Sequence, residues 1–266
     1  MEMTGWPVLF LLLVSASVRA DPVVFQSTDT PPFWSASMPE EGDAGRLLHI
    51  VSAAAGVRYS IEYLPVKRFR MSRATYILGT PEVLDAPGHR AIFPIAFFRS
   101  AFFYYKPHHE AIELGNPASF RGHTLGVLRG TVEDRESFER NGIRVEESDS
   151  IDSLLRKLER GRIDFSILVK ASGLYDIGRL FPEKADRFAV VEIPGTVRPI
   201  AIMIDTSSPE GREVAARYGK VLEQTIHGAA YRQALSNMYG RKRLEEAGRE
   251  IDDFVKAYRN TWENDR

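Results

Sequence analysis

Apolar and polar positions change period repeatedly along this chain. Val23 to Thr28 reads as a short buried strand, broken by Asp29-Thr30-Pro31-Pro32. The three- and four-residue spacing of Leu47, Leu48, Val51 and Ala55 predicts a helix over 40–55, ended by Gly56. Tyr59 to Leu64 alternates as a strand and stops at Pro65. Lys67 to Arg73 reads as a short basic helix, and Tyr76 to Leu78 as another strand before Gly79-Thr80-Pro81. Strand and helix therefore alternate, which implies a parallel sheet.

An aromatic stretch follows over 91–105, and Ala101 to Lys106 reads as a fully buried strand. The alternation then restarts. Thr124 to Leu128 predicts a strand, Val132 to Arg140 a helix and Ile143 to Glu147 a strand. Ile151, Leu154, Leu155 and Leu158 lie on one face of a helix over 150–160. Ile163 to Val169 and Phe188 to Ile193 are further strands, with mixed helix and turn over 173–187 between them. Arg198 to Ile204 is a second buried run, and helices are predicted over 209–227 and 229–239. In the tail, 241–262, Leu244, Ala247, Ile251, Phe254, Val255, Tyr258 and Trp262 form one stripe that needs a surface to cover it. Two alternating units joined by two crossing runs predict two α/β lobes with a cleft between them, where ligands favour binding. The expected lobes are 21–103 with 200–266, and 104–199.

The N-terminus changes the cellular picture. Met3 to Val18 carries no charge, but it is shorter than the roughly 20 residues that span a bilayer. Val18-Arg19-Ala20 is a small-residue cleavage site, so residues 1–20 are expected to be a cleaved export signal. The n-region lacks Lys and Arg, which departs from the usual pattern. The mature protein is expected to be soluble, exported and monomeric. Lys plus Arg number 35 and Asp plus Glu 36, so no global charge favours nucleic acid. The absence of Cys removes disulfides, thiolate metal sites and a cysteine nucleophile. Neighbouring His108 and His109, before Glu110, point to opposite sides of an extended linker and do not make a metal site. No P-loop, dinucleotide or metalloprotease motif occurs, and no cofactor is called for.

With these segments in view, the chain resembles the family 3 extracellular solute-binding proteins, periplasmic components of polar amino-acid uptake systems. STDTPPF (27–33), PEEGDAGRLL (39–48), YLPVKRF (63–69), LGTPE (78–82), HRAIFPIAFF (89–98), RGHTLGVLRGT (121–131), LLRKLERGRIDFSIL (154–168) and MYG (238–240) carry the resemblance in order through the mature chain. It implies a two-lobe periplasmic-binding-protein fold, type II-like, with mostly parallel sheets. It also implies capture of a small anion or amino acid by hinge closure, and delivery to an inner-membrane ABC permease.

The resemblance nominates five ligand residues, and Arg129 joins them as the neighbour of Thr131. Arg90 matches the family's carboxylate-binding Arg, and a planar guanidinium suits that role. Thr80 matches a hydroxyl residue beside it. Thr131 falls where a turn becomes a helix, with Arg129 adjacent; T-x-x-D through Asp134 also reads as a capping box. Phe33 and Trp34 occupy the place of an aromatic wall, or pack in the lobe core. Asp164 reads as structural, and Arg68 and Arg70 as solvated. One departure matters: the family's amine-pairing carboxylate falls at Val169, followed by Lys170. A buried ammonium without a carboxylate is costly, so organic acids enter beside amino acids as expected ligands. Two rival readings remain: an enzyme on the same scaffold, dehydratase-like, and a sensory or accessory module docked through the tail stripe.

Overall fold

The computed structural model describes residues 21–84, 88–108, 117–131 and 134–263. The expected export signal lies outside the described residues, as do His109 and Glu110. No described helix is long and apolar enough to cross a membrane.

In the first lobe, β1 (Val23–Ser27) pairs in parallel with β2 (Tyr59–Tyr63) and with β3 (Tyr76–Gly79). In the second, β6 (Thr124–Leu128) pairs in parallel with β7 (Arg144–Ser148) and β8 (Phe165–Val169). Each sheet is completed by strands from both sides of the crossings. β4 (Arg90–Phe98) and β10 (Arg198–Asp205) complete the first, in the order β2-β1-β3-β10-β4. β5 (Ser100–Tyr105) and β9 (Phe188–Glu192) complete the second, in the order β7-β6-β8-β5-β9. The sheets are thus mixed: β10 enters antiparallel between β3 and β4, and β5 antiparallel between β8 and β9. The expected borders at 103/104 and 199/200 fall inside β5 and β10. The sheets themselves change at Arg99 and across 193–197.

Helix α1 (Asp43–Ala55) buries Leu47, Leu48, Val51 and Ala55, as its period predicts, and ends at left-handed Gly56. It starts at Asp43 rather than at residue 40. Glu40 and Glu41 take positive φ, and the first helical N–H groups are satisfied by a loop: Asp43 N donates to Pro32 O (2.8 Å) and Ala44 N to Phe33 O (3.1 Å). A Cβ on Gly42, at φ +99°, would lie 2.6 Å from both carbonyl oxygens, so only glycine suits this close approach. A short helix α2 (Val66–Arg70) follows β2.

In the second lobe, α3 (Arg135–Arg140) is shorter than the helix expected over 132–140. Helix α4 (Ile151–Glu159) is capped by Ser150, which accepts from Ser153 N (3.1 Å), and buries Leu154, Leu155 and Leu158. Helix α5 (Lys170–Leu180) begins directly after β8.

The C-terminal helices α6 (Pro209–Ile226), α7 (Ala229–Tyr239), α8 (Leu244–Tyr258) and α9 (Asn260–Glu263) return to the first lobe. The tail stripe is covered by its own lobe: Ala247, Ile251, Val255 and Trp262 are buried, with Trp262 at 5.0 Å from Phe93. These helices also close the outer strand of the sheet. Ile92 N donates to Thr261 Oγ1 (2.9 Å), Tyr231 donates to Ile95 O, and Tyr239 accepts from Phe97 N (2.8 Å) while donating to Phe97 O. An outer strand otherwise offers such groups to another chain. Burial pushes both phenols well above their ordinary value, so they remain protonated donors.

The crossings are tied to one another and to the tail. Ile193 N donates to Ser100 O (3.0 Å), and Ser100 N to Thr196 Oγ1 (3.2 Å). Arg99 pairs with Glu246 (2.7 Å) and Glu250 (3.2 Å) while lying over the Phe97 ring. Tyr239 stacks on that same ring at 4.4 Å.

Candidate functional site

Parallel strands of one sheet point their C-terminal ends the same way, and ligands of α/β proteins bind beyond those ends. Here the strand ends of the two lobes face one another across a cavity of about 920 Å³. From the first lobe come Thr28 and Asp29 after β1, Tyr63 at the end of β2, and Lys67 and Arg70 on α2. From the second come Leu128 to Thr131 after β6, and Glu147 and Asp149 at the end of β7. Arg70 spans the gap, donating from Nη1 to Gly130 O (3.0 Å). Behind this cavity, against the crossings, lies a chamber of about 330 Å³ that shares Leu128 and Thr131 with it.

The charges in the outer cavity differ in how they are held. Arg129 is engaged by Asp149 (2.7 Å) and Glu147 (2.8 Å), and these carboxylates raise its pKa. Among the described residues, no hydrogen bond or ion pair engages Asp29 or Lys67, both exposed. The Tyr63 hydroxyl is buried without a partner. Burial, then the charges of Glu41 and Asp29, push that phenol well above its ordinary value. It is therefore neutral, able to donate and to accept. The cavity offers a carboxylate, an ammonium, a guanidinium and a phenol to a small polar molecule.

Of the six residues nominated from the sequence, Arg129 and Thr131 line the cleft; Phe33, Trp34, Thr80 and Arg90 line neither chamber. Arg90 stands at the first position of β4, opposite Asp205, while the crossing follows the last. At about 3.3 Å per residue it lies roughly 26 Å along the strand from that crossing. It is buried, within 3.4 Å of Thr75 O. Burial lowers its pKa and Asp205 opposes the shift. Burial alone would raise the Asp205 carboxyl, but hydrogen bonds from Ser207 and the charges of Arg90 and His89 carry it below its ordinary value. Arg90 thus closes the far end of the sheet. Arg90→Ala should cost about 1–3 kcal/mol, because partners are left unpaired in a buried place. Ligand affinity should be unchanged. Urea titration and calorimetry of the variant check both; lost affinity at full stability would return Arg90 to the site.

Phe33 and Trp34 are 4% and 3% exposed within the first-lobe core, where their backbone forms the turn that receives α1. Thr80 donates to Glu82 beside it. Thr131 is not a helix cap: its hydroxyl and its N–H both donate to Leu128 O (2.7 and 3.1 Å), and Asp134 caps α3 by accepting from Ser137 N (2.8 Å). Helix α3 therefore starts four residues beyond Thr131. Asp164 is structural, accepting from Thr124 N (2.5 Å). His108 Nε2 lies 3.1 Å from Glu159 O.

Asp29 and Arg70 line the cleft without having been nominated from the sequence, for different reasons. Asp29 belongs to a Pro-rich break and reads as turn chemistry, although a carboxylate just beyond a parallel strand is the signal that could have marked it. Arg70 reads as solvated, because nothing local shows that Gly130 lies opposite it. Val169 does line the inner chamber, and Lys170 is turned aside to pair with Glu192.

No protein-family model and no curated protein sequence matches the chain. Solved structures do. An ancestral arginine-binding protein bound to arginine matches at 16% identity and a TM-score of 0.63, over 82% of this chain and 98% of that one. The arginine-, lysine-, histidine-binding protein ArtJ from Geobacillus stearothermophilus matches at 16% identity and 0.58, over 85% and 100%. A histidine kinase sensor domain with similarity to periplasmic binding proteins matches at 13% identity and 0.61, over 82% and 96%. These likenesses show the fold: the chain has the two-lobe architecture of the periplasmic binding proteins.

Proposed function

We propose that this protein is a family 3-type solute-binding protein of the periplasm. It captures a small polar ligand bearing a carboxylate, an amino acid or an organic acid, between its lobes. It then closes about the crossings at Arg99 and 193–197 and hands the ligand to an inner-membrane ABC permease. The observation that carries this reading is the cleft. Facing strand ends of two lobes enclose about 920 Å³, with Asp29 and Lys67 unengaged among the described residues and the Tyr63 hydroxyl unpartnered. A buried hydroxyl without a partner, as at Tyr63, is what a polar ligand satisfies, with Asp29 and Lys67 beside it as charged groups a ligand can engage. Arg70, joined to Gly130 across the gap, supports closure as the motion that traps it.

The test is a thermal-shift screen of the purified protein against amino acids, organic acids and small anions. A ligand at 100 times its Kd should add about 2.7 kcal/mol of stability. The hit should shrink the radius of gyration in solution scattering. Its effect should fall in Asp29→Asn, Lys67→Ala and Arg70→Ala. Stabilisation that survives all three unchanged would place the ligand elsewhere. Chemical turnover of the bound molecule would move the assignment to an enzyme.

A further inference from the structure

The inner chamber differs in kind from the outer cavity. No Asp, Glu, Lys or Arg lines it; its walls are apolar side chains such as Phe98, Ile151 and Val169, relieved only by hydroxyls. Among those hydroxyls, Thr131 is bonded to Leu128 O and Thr30 to Thr28, and Ser100 is only half-buried. Ser172 is different: it is fully buried, lines the chamber, and its Oγ has no hydrogen-bond partner. It stands on the first turn of α5, an 11-residue helix whose N-terminus has no side-chain cap. The residue at the cap position, Val169, is on the same wall. Close packing holds this turn in place, since a Cβ on Gly173 would lie 2.3 Å from the Phe103 ring.

These observations have one electrostatic sense. The first turn of a helix presents backbone donors and the positive end of its dipole. A buried hydroxyl without a partner is costly, and an acceptor brought to it recovers that cost. An ammonium in the same place would face the positive end of α5 with no carboxylate beside it. We propose that the inner chamber takes the oxygen-bearing end of the ligand, a carboxylate or a carbonyl. The Ser172 hydroxyl and the amides of Ala171 and Ser172 hold it, the Lys170 N–H being taken by Arg99 O (2.8 Å), and the chamber rejects an ammonium. A cationic group on the same ligand is left for Asp29 in the outer cavity. This inference rests on the cleft being the binding site and fixes which way round the ligand lies in it.

The test uses the smallest probes for the two end groups, sodium acetate and methylammonium chloride. Each is titrated into the ¹⁵N-labelled protein to its practical limit. Acetate should shift the amides of Ala171, Ser172 and Gly173, and methylammonium should leave them in place. In Ser172→Ala the acetate response should weaken about tenfold, the worth of one hydrogen bond of roughly 1.4 kcal/mol. Val169→Asp should abolish it through like-charge repulsion. Ser172→Ala should also raise the Tm of the ligand-free protein, by about 2–4 °C, because a buried unpaired hydroxyl is removed. A serine whose hydroxyl is bonded within the protein would not raise it. Three results overturn the proposal: no acetate shift at these amides, a methylammonium shift there, or a lowered Tm in Ser172→Ala. Each leaves the cleft reading standing, because that reading falls only with its outer-cavity variants.

Discussion

A chain ending before Leu244 should fail to fold cooperatively. Truncation there removes Ala247, Ile251, Val255 and Trp262 from the helical face of the first sheet and uncovers Phe93 and Phe97 beneath them. Burying each large apolar side chain contributes roughly 1.5–3 kcal/mol. Three or four such losses take up most of a net stability of about 5–15 kcal/mol. The same cut removes Thr261, and with it the acceptor for Ile92 N on the outer strand. Exposed face and freed edge together favour aggregation. Urea unfolding followed by far-ultraviolet circular dichroism should lose its sigmoidal transition, and soluble yield should fall. A truncated chain that unfolds at the full-length midpoint would mean that the stripe is not part of this core. A partner-docking role for the tail would then regain its basis.

Tyr239→Phe should cost about 2–6 kcal/mol, a large effect for the loss of one oxygen atom. That oxygen serves both backbone groups of Phe97, accepting from its N–H and donating to its C=O. Its removal leaves a donor and an acceptor unpaired in a buried place, each costing about 1–3 kcal/mol. The stacked ring is kept, so the loss reports hydrogen bonding rather than packing. Phe97 lies two residues before the Arg99 crossing, so the variant should also loosen the strand from which the second lobe departs. Chemical denaturation measures the first effect, and amide hydrogen exchange at 95–100 the second. Unchanged stability would mean that water replaces the hydroxyl at no cost.

Much of the fold was legible because hydrophobic periodicity is local. The stripes of α1, α4 and α8 appear in the sequence at helical spacing, and each is buried as that spacing requires. What the period could not supply were helix starts made by distant groups. Helix α1 begins at Asp43 because the Pro32 and Phe33 carbonyls receive its first N–H groups. Helix α3 begins after Asp134, so the cap falls to Asp134 rather than to Thr131.

The site was less legible than the fold. Arg90 has the chemistry that a carboxylate needs, and its neighbours have the expected order. The register of β4 against β10 nevertheless pairs it with Asp205, at the end of the strand away from the crossing. Residue type and spacing along one strand do not say which end of a sheet faces another lobe.

By itself the sequence determined two alternating α/β units, two apolar runs that join them and an amphipathic tail. Each of these is a pattern of neighbours within one or two turns or strands. Only the tertiary structure decided which side chains meet. It brought Asp29, Tyr63 and Arg70 opposite Gly130 and Thr131, and it left Ser172 without a partner at the head of α5. It also buried Phe33 and Trp34 in the first-lobe core. The physical reason is that a cleft is made of strand ends. Which ends come together depends on sheet order and register, and these are contacts between residues far apart in the chain.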